Sequence, residues 1–78
     1  MKLRQKIDPT KFLEHVKLCS GDVLFCTSEG DVINLKSTLS QLVFAVAAQD
    51  ETVLSTAQII CKEDSDREIL KTFIEVEW

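Results

Sequence analysis

The residues best suited to chemistry lie between Asp31 and Val46. Ile33-Asn34-Leu35 alternates as a strand does, whereas Leu39, Leu42, Val43 and Val46 recur at helical spacing, so Ser37 falls where one element becomes the other. A hydroxyl at that boundary accepts a hydrogen bond from an orphan backbone N–H, and a phosphate on it would meet the positive end of the helix dipole. Ser37 is therefore read either as a helix cap or as a switch, with Thr38 and Ser40 as neighbouring hydroxyls. The one histidine, His15, stands inside a helix that starts at Pro9, away from the end where anions bind, and reads as a helix-flank residue. A phosphoryl acceptor is the alternative. Cys19, Cys26 and Cys61 are odd in number, widely spaced and set in apolar patterns, which suggests neither a disulfide framework nor a zinc site. Gly21 and Gly30, the two glycines, both fall in expected turns and leave nothing for a nucleotide cradle. No metal, cofactor or enzymatic activity is expected.

The elements that must position these residues can be read in order. Residues 2 to 7 can form a strand. Asp8-Pro9 starts a helix, with Asp8 as N-cap, Pro9 in the first turn and Ile7 placed to pack on Phe12. Phe12, Val16 and Cys19 form its apolar stripe, and Ser20-Gly21 its stop. Val23 to Cys26 reads as a second strand, returned through Ser28-Glu29-Gly30-Asp31 to Val32–Leu35 as a hairpin. After the second helix, residues 49 to 55 read as a polar loop and 56 to 62 as a strand. Ser65 and Glu68 then make a capping box for a third helix in which Ile69, Leu70, Phe73 and Ile74 face one way. Trp78 either packs on the sheet or stays free.

The order strand-helix-strand-strand-helix-strand-helix implies α+β: an open-faced sandwich of three helices on one face of a four-stranded antiparallel sheet. Residues 1–78 form one domain, 45% apolar and 28% charged, with a small core. The net charge of −4 argues against nonspecific nucleic-acid binding, although the first eleven positions are basic and the segment from Asp50 to Asp66 is acidic. No apolar run approaches a membrane span, and a soluble protein of a reducing cytoplasm is expected.

With Val32-Ile33-Asn34-Leu35-Lys36-Ser37 feeding a short apolar helix, the chain resembles the histidine-containing phosphocarrier family, HPr, of the bacterial sugar phosphotransferase system. The likeness spans nearly the whole chain, and Asn34-Leu35-Lys36-Ser37 is its most specific piece. The resemblance implies that Ser37 is a regulatory phosphorylation site for a kinase and that the product docks on a transcriptional regulator. It also implies that the first two helices form a protein-docking face, with Leu39, Leu42 and Val43 as contacts. Gln41 stands near a position usually apolar in the family. The front of the chain departs from the pattern: the family carries its phosphohistidine in a Gly-x-His-x-Arg-Pro setting, and Lys6, Ile7, Asp8 and Pro9 stand here instead. An Asp at the arginine position repels a phosphoryl group, and neither Lys6 nor Ile7 replaces an imidazole. The resemblance with this departure implies a regulatory or protein-binding module rather than a competent carrier. A carrier using His15, or a homodimer made through the second helix or an open sheet edge, are the alternatives.

Overall fold

Asp8 and Pro9 start the first long helix as their types dictate. In the computed structural model, which describes residues 1–4 and 6–75, the Asp8 carboxylate accepts from the Thr10 and Lys11 N–H groups at 3.0 and 3.4 Å, and Pro9 opens α1 (Pro9–Leu18). Phe12, Val16 and, at the helix end, Cys19 are buried.

The chain is α+β, with four helices and two small antiparallel sheets among the described residues. β2 (Val23–Cys26) lies between β3 (Val32–Asn34) and β4 (Gln58–Cys61) in a three-stranded sheet. β1 (Lys2–Leu3) pairs with β5 (Ile74–Glu75) in a two-stranded one. The register sets Leu24 opposite Asn34 and Ile60, and Phe25 opposite Ile33 and Ile59. Val23, Phe25, Ile59 and Cys61 thus face the core, while Ile60 is exposed on the other side. The β2–β3 turn closes with the Thr27 N–H on Asp31 O at 2.8 Å and the Gly30 N–H on Thr27 O at 3.1 Å. Gly30 has φ +95, the left-handed conformation that favours glycine, and a Cβ there would meet nothing within 4 Å, so its backbone alone explains the residue.

The expected four-stranded sheet is not formed. β1 is two residues long and ladders with β5, a strand not foreseen; the Arg4 N–H extends that ladder to Phe73 O at 2.7 Å. The front of the chain is tied to β4 by the Met1–Ile59 exchange, with the Ile59 N–H on Met1 O at 2.6 Å and the Met1 nitrogen on Ile59 O at 3.3 Å.

The helices differ too. α2 spans Thr38–Ala47, but residues 49 to 55, read as loop, contain α3 (Glu51–Thr56), capped by Asp50 on the Thr52 N–H at 2.9 Å. The third helix expected from Ser65 is shorter: α4 is Asp66–Leu70, Ser65 is itself in the helical region and makes no side-chain cap, and Phe73 and Ile74 leave the helix for a turn and β5. Trp78 lies outside the described residues.

An aromatic chain runs through the core. Phe25 meets Phe44 of α2 at 5.0 Å between centroids, Phe44 meets Phe12 at 5.4 Å, and Phe12 meets Phe73 at 5.6 Å.

Candidate functional site

Asn34-Leu35-Lys36-Ser37 sets α2 in place, each residue by a different interaction. The Asn34 carboxamide oxygen accepts from the Lys36 N–H at 3.0 Å, folding the strand end into a turn, and its carbonyl takes the Ser37 N–H at 3.0 Å. Leu35 is fully buried and anchors the turn in the core. Gln41 donates from its side-chain amide to Leu35 O at 3.0 Å. Ser37 has the extended backbone of an N-cap (φ −83, ψ 133), yet its hydroxyl makes no capping bond and the residue is exposed.

Lys36 reaches across to the end of α1, where its ammonium donates to Cys19 O at 2.6 Å, Val16 O at 3.3 Å and Lys17 O at 3.4 Å. A cation there is favoured by the negative end of the helix dipole that these carbonyls form, the Val16 carbonyl also taking the Cys19 N–H at 3.0 Å. Lys36→Met, which keeps the stem and removes the charge, is expected to lower stability in urea unfolding by about 1 kcal/mol.

A buried carboxylate grips the same chain reversal from the other side. Asp66, 2% exposed, accepts from the Ser20 N–H at 3.0 Å, the Ser20 hydroxyl at 3.2 Å and the Gly21 N–H at 2.8 Å. Those bonds, the Gly21 and Ser20 backbone ones foremost, hold its carboxyl below the ordinary carboxylate range against the opposing effect of burial. Gly21 approaches residue 63 so closely that a Cβ would lie 2.5 Å from Glu63 Cγ. Asp66 follows Ser65 where the third helix was expected to start, and no local signal in the sequence points to partners 46 and 45 residues away.

Burial, and then the Asp66 charge, pushes the Cys19 thiol up to about 11 and raises that of Cys61 as well. Both therefore stay protonated at neutral pH and are poor nucleophiles. Among the described residues, no three of His, Cys, Asp or Glu gather as a metal site, and no helix is long and apolar enough to cross a membrane.

The other singled-out residues occupy separate places. His15 lies on the flank of α1, its Nδ1 2.8 Å from Lys11 O and its ring edge-on to Phe73 at 4.9 Å. At the start of α1, Lys6 is exposed with φ +59, Ile7 packs against the core, and Asp8 and Pro9 are the helix start. Lys6 lines a cleft of about 330 Å³ with Arg4, Glu51 and Ser55, which offers a carboxylate beside its two cations and no imidazole.

The third place is the face of α2. Leu39, Leu42, Val43 and Val46 are 72%, 63%, 50% and 69% exposed, while Phe44 alone is buried. Their i, i+3, i+4, i+7 spacing is that of a core-facing stripe, but here the stripe faces solvent. Leu18, at the end of α1 that Lys36 holds, is also exposed. The exposure of Leu18 was not read from the sequence, because the last position of an amphipathic helix carries no periodic signal. No known protein family matches the chain, and neither a curated protein nor a solved structure matches it.

Proposed function

We propose that the chain is an HPr-like docking module that binds protein through α1 and α2, does not carry a phosphoryl group, and works in the bacterial cytoplasm. The observation that carries the docking reading is the solvent-facing stripe of Leu39, Leu42, Val43 and Val46. Exposing four large apolar side chains on one short helix loses the hydrophobic gain that burying them would give, and such patches characteristically serve as contact surfaces. The segment Asn34–Ser37 and the antiparallel order β3-β2-β4, with Met1 hydrogen-bonded to Ile59 on the free side of β4, support the HPr-like sandwich.

Loss of carrier chemistry is supported at the front of α1. A phosphoryl acceptor needs a nucleophile over the helix N-terminus, and Lys6, Ile7 and Asp8 supply an amine, an alkyl group and an anion there. His15 is the weaker candidate, since one ring nitrogen faces Lys11 O and the ring is packed on Phe73 in mid-helix. Ser37 is free to take a regulatory phosphate: it is exposed at the head of α2, and a phosphate would add about −1.5 to −2 charge beside the helix N-terminal amides.

Incubated with phosphoenolpyruvate and the general phosphotransferase enzyme, the chain is expected to gain no acid-labile phosphate. Labelling abolished by His15→Ala would make it a carrier after all. Docking is read separately, by titrating the isotopically labelled chain with that enzyme, the family's serine kinase and its transcriptional regulator; the amides of Leu39, Leu42 and Val43 are expected to shift with one of them. Silence along α2 in all three titrations removes the docking reading.

A further inference from the structure

We infer that the groove between the β2–β3 hairpin and the helices α2 and α3 is a binding site for a small organic cation, an ammonium carried on an apolar body. The groove encloses about 560 Å³, a volume that a small molecule fills. Phe25 of β2 and Ile33 of β3 line it on the sheet side, Val43 and Ala47 on the side of α2, and Val53 on that of α3. Phe25 is buried, and Ile33, Ala47 and Val53 are half-buried. An apolar body laid against them leaves water and takes the remaining water contact of these side chains with it.

Charge decides which apolar body fits. Glu29 and Asp31 of the hairpin turn and Asp50 before α3 are exposed and line the same groove, and among its described lining residues there is no lysine, arginine or histidine. Carboxylates of one sign beside low-dielectric walls attract a cation and repel an anion. The cleft at Lys6 differs, because Arg4 and Lys6 share it with Glu51 and answer its charge. Two of the three acids in the groove stand on fixed backbone. The Asp31 N–H donates to Thr27 Oγ1 at 3.1 Å and its carbonyl accepts the Thr27 N–H at 2.8 Å, while Asp50 is held by its bond from the Thr52 N–H at 2.9 Å. Groups held in place before the ligand arrives need no ordering when it binds. The acids border the groove without converging: among the described residues no three of His, Cys, Asp or Glu gather as a metal site. A bare metal ion, which needs several oxygens around one point, therefore gains less there than a cation whose own body covers the apolar floor. Apart from Val43 this site shares nothing with the docking stripe, and it stands or falls without the docking reading.

Phenylbutylamine is the probe, titrated into the isotopically labelled full chain. For a ligand of that size in an open groove, a dissociation constant of about 0.1 to 3 mM is expected, with the amides of Asp31, Ile33, Ala47 and Val53 shifting together. Phenylbutanol, which lacks the charge, should bind about threefold to tenfold more weakly. Butylamine, which lacks the ring, and phenylbutyrate, which reverses the charge, should each lose at least about tenfold. Glu29→Gln combined with Asp31→Asn keeps the backbone bonds of the turn and changes only exposed side chains. That variant should erase most of the amine's advantage over the alcohol, while its thermal unfolding stays within about 2 °C of the native chain.

Equal binding of phenylbutylamine and phenylbutanol overturns the proposal, as does an amine advantage that survives in the double variant. Amides that stay still up to about 10 mM amine, or shifts confined to residues outside the groove, overturn it as well. A blocked peptide alternating leucine and lysine that moves the same amides at least about tenfold more tightly than the amine overturns the small-molecule assignment and gives the groove to a protein segment.

Discussion

Phe44→Ala is expected to bring the chain to the edge of unfolding. Phe44 is the sole buried residue of α2, and its ring is held between Phe25 and Phe12. Truncation removes the apolar transfer gain, two ring contacts and the packing on either side, and Phe→Ala in a core costs about 3–5 kcal/mol. A domain of this size holds roughly 4–12 kcal/mol in total. The urea midpoint should therefore fall by about a quarter or more, or the variant should be unfolded outright. Leu39→Ser on the same helix is expected to change stability by no more than about 0.5 kcal/mol, because that side chain is already in water. Equal losses in the two variants would show that the side of α2 that packs has been misassigned.

Asp66→Ala is the second large effect. It deprives the Ser20 and Gly21 amides of their acceptor at a point where the chain end of α1 and the loop before α4 press together. A fall in Tm on the order of 10 °C is expected. Asp66→Asn should be milder, since one oxygen can still accept while the amide nitrogen must face an N–H.

The carboxyl also makes a distinctive contribution to pH dependence. Its folded pKa is depressed, so the stability it supplies is complete above the ordinary carboxylate range and is lost as pH falls through that range and then through the lowered folded value. Urea unfolding from neutral pH into acid should show this slope in the native sequence and a shallower one in Asp66→Asn. An identical acid dependence in both proteins would assign the loss to other carboxylates.

The parts legible in the sequence were those whose determinants are local. Asp8 and Pro9 start α1 by their own hydrogen bonding and φ, Gly30 marks the hairpin by its backbone, and Ser37 marks the change from β3 to α2. α3 was not legible because six residues with only Val53 and Leu54 packed inward make no periodic stripe; Asp50 followed by Glu51 was the one available signal. Ser65 and Glu68 fit a capping pattern, but successive turn bonds from Asp66 to Glu63 and from Arg67 to Asp64 already make Ser65 helical, which leaves its hydroxyl nothing to cap. β1 was read as a full strand because alternation alone does not show where pairing stops, and β5 was hidden inside an apparent helical face.

The candidate site divided in the same way. The apolar spacing of α2 was plain, but periodicity finds a stripe without saying which way it points. That direction is set by Leu35 and Phe44, which are buried, and by the bond from Gln41 to Leu35. Lys36 was noticed only as part of a motif, and its role depends on a helix end 17 to 20 residues earlier.

Because one side of α2 is held by Phe44 and the other is free, selection can act on the two sides independently. Substitutions at Leu39, Leu42, Val43 or Val46 can redirect the chain to a new companion, or release it from any, with the scaffold left standing. Descendants of this sequence should therefore diverge fastest along that ridge while the residues beneath it stay constrained, and comparing them position by position would record the history of what the surface has met.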